Sequence, residues 1–269
     1  MTLKDIKNMW QKKETDSAAS VALWDTKAPA FAYKEPPSSK NNLTMQLIED
    51  NNMITDGCSV LDVGCGGGRF SFTLEKMGAS VRGIDFSSKM IEECEKAKKR
   101  NNSRVEFEVC DWENVDLKKE GTEGKYDLVL ANMTPAVCSA ETFMKLSQAS
   151  KNWCIFVKHT RRTREVFDKL CDHLEIDNNI ASDDALAYAF CLLWKMGYKP
   201  KLAYKDEIWE SDMSLDDITK EYIIRLEMKK KLTDEEKRET VRFLTSLSSE
   251  GKLKEVTNTT IAAIYWQVK

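Results

Sequence analysis

The sequence predicts an α/β protein, with a mostly parallel sheet in the middle and helices packed on both sides. Three observations lead there. From residue 59 onward, short β-rich runs alternate with helical stretches, the pattern of strands joined by crossover helices. Runs such as Val60-Leu-Asp-Val63 and Tyr126-Asp-Leu-Val-Leu130 are almost continuously apolar, as strands covered on both faces must be. One strand end passes into four glycines, at 64, 66, 67 and 68, before a helical pattern begins. Such a turn lets a backbone approach a ligand closely.

The elements follow in order. A leader of about 58 residues comes first. It has a Trp-containing amphipathic start, a loop over 28–39 with three prolines, and a helix near 43–51. Core strands are expected at 59–64, 80–85, 104–109, 126–132 and 153–159. Helices are expected at 69–77 and 87–100, the second with Ile91, Cys94 and Ala97 on one face and lysines on the other. Later stretches read as helices at 162–174 and 183–196, a strand at 199–209, and helices at 214–228 and 233–248 that open on a Ser or Thr cap. A closing strand at 258–268 is rich in Thr, Ile, Tyr and Trp. The domain reading is an N-terminal helical cap at 1–54, a core at 55–210, a helical insertion at 211–250 and a last core strand within 251–269.

Composition narrows the function classes. The 269 residues fit one large domain, or one domain with an insertion, and 42% hydrophobic with 32% charged residues suits a water-soluble core-forming chain. Lysines and arginines number 41 against 44 acids, a net charge of −3, which disfavours nucleic acid as the main partner. The basic runs at 96–100 and 229–231 sit among acids and read as solvated helix faces. No stretch has the roughly 20 apolar residues of a membrane span, and the polar start is not a secretory signal. Eight cysteines stand singly, without a C-x-x-C pair. They read as reduced, mostly buried thiols of a cytoplasmic protein, and no metal is expected.

The chemistry concentrates in Val60-Leu-Asp-Val-Gly-Cys-Gly-Gly-Gly-Arg-Phe70. A dinucleotide fingerprint needs G-x-G-x-x-G or an alanine variant. Counting from Gly64 puts Arg69 at the third glycine position, and counting from Gly66 puts Ser71 there, so that fingerprint fails. Asp85 ends the next strand, 23 residues after Asp62. A carboxylate there can accept from both hydroxyls of a ribose. Asp111 and Trp112 close the third strand, and Asn132-Met-Thr-Pro135 closes the fourth. In open α/β sheets this carboxyl edge is where ligands bind.

The pattern Asp-x-Gly-x-Gly-x-Gly, followed by Asp85 and Asp111 in that order, closely resembles the class I S-adenosylmethionine-dependent methyltransferases. The resemblance spans about residues 55–160. It implies a three-layer Rossmann-like fold with a seven-stranded sheet whose last strand is antiparallel. It implies S-adenosyl-L-methionine as cofactor, held by Asp62, Gly64, Cys65, Gly66, Gly68, Asp85, Phe86, Asp111, Trp112 and Asn132. In the family the third-strand acid accepts from the adenine amine, and Trp112 would add an aromatic wall. The amine-methylation signature Asn/Asp-Pro-Pro-aromatic is absent here, where Asn132-Met-Thr-Pro135 stands. Candidate catalytic residues are His159 as a base, with Arg161, Arg162 and Arg164 after it for an anionic acceptor, Asn132 for orientation, and Tyr33 for pocket closure. The expected function is methyl transfer to a small-molecule acceptor, without nucleic acid or membrane. The alternatives are a protein or RNA methyltransferase and a non-catalytic cofactor-binding regulator.

Overall fold

A computed structural model describes residues 2–12, 17–178, 184–227 and 229–268. The expected positions Met1, 13–16, Asp183 and Met228 lie outside the described residues. Seven strands form one sheet in the order β3-β2-β1-β4-β5-β7-β6. They are β1 (Ser59–Val63), β2 (Ser80–Asp85), β3 (Glu106–Val109), β4 (Tyr126–Asn132), β5 (Ser150–Arg164), β6 (Lys201–Ser214) and β7 (Lys252–Gln267). The helices are α1 (Leu3–Met9), α2 (Ser17–Phe31), α3 (Leu43–Asp50), α4 (Arg69–Lys76), α5 (Ser88–Asn101), α6 (Ala140–Ala149), α7 (Glu165–His173), α8 (Asp184–Lys195), α9 (Leu215–Glu227) and α10 (Asp234–Leu247).

β1 pairs in parallel with β2 and β4, β2 with β3, and β4 with β5. β7 is the antiparallel strand. Val268 N–H donates to Asn152 C=O, while the Thr259 hydroxyl donates to Thr160 C=O, so numbers rise on one strand as they fall on the other. The expected three-layer fold and antiparallel last strand are therefore present.

The chain divides into two compact units. The first comprises Met1–Lys158, Asp184–Tyr204 and Ala262–Lys269. Its core packs Val63, Val129, Phe143, Phe156, Leu192 and Trp266, with Trp10 5.2 Å from Phe143 between ring centroids. The second comprises His159–Asp183 and Lys205–Ile261, around Phe167, Leu170, Ile218, Tyr222, Leu244 and Leu253.

Several boundaries differ from expectation; β6, for one, runs to Ser214, where the strand was expected to end at 209. β5 runs to Arg164, where a helix was expected from 162, and α7 starts only at Glu165. No side chain caps α7 locally at Arg164. Instead the Glu255 carboxylate accepts from Val166 N–H at 3.1 Å and Phe167 N–H at 3.2 Å. β7 starts at Lys252, not 258, because Leu253, Glu255 and Thr257 alternate inward and two of those three are polar. In the leader, α2 continues through Phe31 with Pro29 inside it, where a loop was expected from 28. α6, which the sequence reading does not name, opens on a reciprocal cap between Ser139 and Thr142.

Candidate active site

Asp62 lies on β1 with 2% of its surface exposed, and Ser71 Oγ donates to its Oδ2 at 2.6 Å. Burial raises its pKa to about 6; the Ser71 hydrogen bond opposes this and the nearby Asp85 charge adds to it. The chain then turns. Gly64 and Cys65 both donate their N–H to Ile84 C=O, at 2.8 and 2.9 Å. Gly64 has φ +68°, and a Cβ there would stand 1.8 Å from Thr134 Oγ1. At Gly67 a Cβ would stand 1.8 Å from Phe31 C=O, so the leader's backbone packs directly on the loop. A Cβ on Gly66, at φ +53°, would meet nothing within 4 Å, so open space lies on that side of the loop.

The loop is tied to the end of β2. Asp85 accepts from Gly66 N–H at 3.0 Å and Ser87 N–H at 2.9 Å. Burial raises its pKa against those two bonds. Ser87 is the N-cap of α5, accepting from Met90 N–H at 3.1 Å, so Asp85 is not needed as the cap. The Ser87 hydroxyl donates to Asp25 of α2 at 2.5 Å. Cys94 Sγ donates to Gly66 C=O at 3.0 Å. Cys65 is half-buried, and its thiol is raised by its hydrogen bond with Cys94 and by burial. Phe86 is half-buried beside Asp85.

The third-strand residues take other places. Asp111 is exposed and organises a turn, accepting from Glu113 N–H at 3.0 Å and Asn114 Nδ2 at 2.7 Å. Trp112 was expected as an aromatic wall, yet its ring is fully buried in the first unit's core and its indole N–H donates to Thr142 C=O at 2.9 Å. An indole that finds its hydrogen bond inside the core packs more favourably there than at an open edge.

At the end of β4, Thr44 Oγ1 donates to Asn132 Oδ1 at 2.7 Å, and Met133 has φ +52°. Lys158 Nζ donates to Thr134 C=O at 2.9 Å. Burial pulls the Lys158 amine down to about 8, against the opposing pull of Cys138. Sequence reasoning missed Lys158, although a lone lysine after Cys154-Ile-Phe-Val157 was the available signal. Tyr33 packs on Phe72 at 4.9 Å, and its hydroxyl accepts from Lys76 Nζ at 3.4 Å. His159 is half-buried and belongs to the second compact unit. Among the described residues no group of three or more His, Cys, Asp or Glu is placed to hold a metal.

Residues 54–230 match the family model described as a methyltransferase domain. The chain belongs to this methyltransferase family. S-adenosylmethionine is the cofactor of the family. The chain is 31% identical over 143 residues to the ribosomal protein L11 methyltransferase of Dictyoglomus thermophilum, an alignment covering 53% of this chain and 42% of that one. It is 30% identical over 172 residues to the ubiquinone biosynthesis O-methyltransferase of Pelagibacter ubique, covering 58% of this chain and 68% of that one. The human mitochondrial ubiquinone biosynthesis O-methyltransferase is 30% identical over 166 residues, covering 53% and 44%. The chain thus spans from about two fifths to about two thirds of these relatives' lengths. A solved candidate methyltransferase from Bacillus halodurans shares the fold, with a TM-score of 0.50 at 14% identity over 82% of this chain and 97% of that one. No helix among the described residues is long and apolar enough to cross a membrane.

Proposed function

We propose that this protein transfers a methyl group from S-adenosylmethionine to a small-molecule acceptor, with the cofactor at the carboxyl ends of β1, β2 and β4. The observation that carries the reading is the glycine loop anchored through Gly66 to Asp85, with Asp62 buried behind it and open space over Gly66. The chemistry of the donor set fits: Asp85 uses two of its roughly four lone-pair directions on backbone amides and keeps the rest for hydroxyl groups. Gly64, Cys65, Gly66 and Gly68 would line the cofactor with backbone, and Phe86 and Asn132 with side chains. When bound, the cofactor supplies a methyl group on a positively charged sulfur.

The protein's own part is alignment, exclusion of water and, for an oxygen or protonated amine acceptor, removal of a proton. Lys158 suits that last role, because an amine near 8 is about one tenth neutral at pH 7. Asn132 would orient the acceptor or the cofactor's amine. His159 is a second base and Tyr33 a closing residue in the same reading. If Lys158 takes the proton, the pH profile of kcat rises through about 8 and Lys158→Met loses roughly a hundredfold or more in kcat. A profile flat from pH 6 to 9 removes Lys158 from the reaction.

A small acceptor is supported by the near-neutral charge and by the longer share of the Pelagibacter relative that aligns, 68% against 42% of the Dictyoglomus protein. A protein acceptor is the second reading, supported by the ribosomal protein L11 methyltransferases among the relatives. Calorimetry with S-adenosylmethionine and S-adenosylhomocysteine, beside NAD, tests the cofactor. If neither sulfur compound binds at millimolar concentration, the central reading fails. A labelled-methyl assay against a metabolite pool and against ribosomal protein L11 tests the acceptor, and label in the protein fraction alone would favour the second reading.

A further inference from the structure

The second compact unit holds positive charge that its own fold leaves unanswered. Near the end of β5, half-buried Arg162 and Arg164 alternate with exposed Arg161 and Thr163, so both lie on one face of the strand. The Arg162 guanidinium lies over the ring of Trp209 on β6, 4.7 Å from its centroid. At that distance the indole face attracts the guanidinium charge. Arg162 Nε is, among the described residues, the one buried side-chain nitrogen or oxygen with no hydrogen-bond partner.

The neighbours make the cluster more positive. Burial first, and then the charges of Arg164 and Arg225, pull Arg162 down to about 10, which still leaves it charged at neutral pH. Burial and Arg225 lower Arg164 in the same way. The nearby carboxylates are already engaged. Glu221 takes the Arg225 guanidinium, at 2.7 Å from Nε and 2.5 Å from a terminal nitrogen. Glu207 accepts the Trp209 indole N–H at 2.8 Å and pairs with Lys205 at 3.4 Å. Glu255 favours the Arg164 charge, but its oxygens accept from Val166, Phe167 and Tyr222. Neither Arg162 nor Arg164 has a carboxylate within ion-pair distance among the described residues.

An unpaired buried N–H beside two partly desolvated guanidinium groups, neither held in an ion pair, is complementary to a ligand with negative oxygens. We propose that the second unit binds an oxyanion, a carboxylate or a phosphate group, between Arg162 and Arg164, with Trp209 as the platform under Arg162. This site is independent of the cofactor reading and does not require methyl transfer.

The test uses the full chain without cofactor. Inorganic phosphate and acetate are titrated separately by calorimetry, at ionic strength held constant with sodium chloride. At least one binds with a Kd of about a millimolar or tighter. Phosphate alone identifies a phosphoryl ligand, acetate alone a carboxylate, and both the shared chemistry. Arg162→Met and Arg164→Met each weaken that binding at least about tenfold. Arg162→Lys keeps the charge without the planar fork and gives a smaller loss, which keeps the test open should the methionine variant not fold. The proposal is overturned if neither anion binds above the chloride background or if the arginine variants bind it unchanged.

Discussion

Around the glycine loop, each buried carboxylate is served by groups close to it in sequence or on the neighbouring strand. Asp62 takes the Ser71 hydroxyl, and Asp85 takes the amides of Gly66 and Ser87. In the second unit the partners come from far along the chain. Glu255 closes the start of α7 from 89 positions away, and Arg162 and Arg164 meet Trp209 and Arg225 from other elements. The first arrangement is satisfied and leaves room for a ligand over Gly66; the second leaves a donor and two charges unpaired. Short-range anchoring gives a preformed backbone cradle, whereas long-range assembly gives a charged face whose completion depends on something that brings oxygens to it.

Removing the tertiary cap should give the largest effect. Glu255→Ala strips the acceptor from Val166 N–H, Phe167 N–H and the buried Tyr222 hydroxyl, whose pKa is raised by burial and by Glu255 itself. Three orphaned donors predict a loss of about 3–5 kcal/mol in urea unfolding. A loss below about 1 kcal/mol would mean that α7 is held by apolar packing alone, and the contrast between the units would collapse.

The first unit offers a matching experiment through pH. Asp62 is raised from its ordinary 3.8 to about 6. Between those values the folded chain keeps a proton that the unfolded chain has released. Stability therefore falls as pH climbs through that window, by roughly 3 kcal/mol in this component, and levels off above it. Asp62→Asn removes the component, so the gap between its unfolding free energies at pH 4 and pH 7 should differ from that of the unaltered chain by about this amount. Equal gaps in the two proteins would show that Asp62 ionises as readily as a solvated carboxylate.

These contrasts also explain what could be read from sequence. Strands β1, β2 and β4, the glycine loop and Asp85 were legible because their determinants are contiguous: apolar runs, glycines at fixed offsets and an acid at a strand end. Trp112 misled because an aromatic beside a strand end reads the same whether it faces a ligand or the core, and Thr142 C=O decided it. The start of α7 failed because its cap lies on β7, and the first half of β7 failed because buried Glu255 looks like a surface residue. Lys158 was passed over for His159 because histidine is the side chain that ordinarily titrates near neutral pH, whereas burial is what brings this lysine down towards that range.

Asp85→Ala sharpens the cradle itself. It frees the Gly66 and Ser87 amides and, in the proposed reading, removes the acceptor for ribose hydroxyls. Cofactor affinity should fall by about 1.5–3 kcal/mol, or roughly ten- to a hundredfold, by calorimetry. Asp85→Asn, which keeps the shape and one acceptor, should lose less. Equal affinity in all three proteins would leave Asp85 a purely structural tie between β2 and the loop.

Asp111 gives the smallest and most discriminating effect. Its side chain is exposed and already accepts from Glu113 N–H and Asn114 Nδ2, so Asp111→Ala should cost the fold only about 0.5–1 kcal/mol. If it also accepts from an adenine amine, its removal should erase the preference for S-adenosylhomocysteine over S-inosylhomocysteine, which carries a carbonyl in place of that amine. Comparing both ligands on both proteins isolates the pair from any general loosening of the turn, since loosening weakens the two ligands alike. A coupling of about 0.5–1.5 kcal/mol would place the third acid in the cofactor site. A preference that survives the substitution would confine Asp111 to its turn and leave the loop, Asp62 and Asp85 as the whole acidic frame of the cradle.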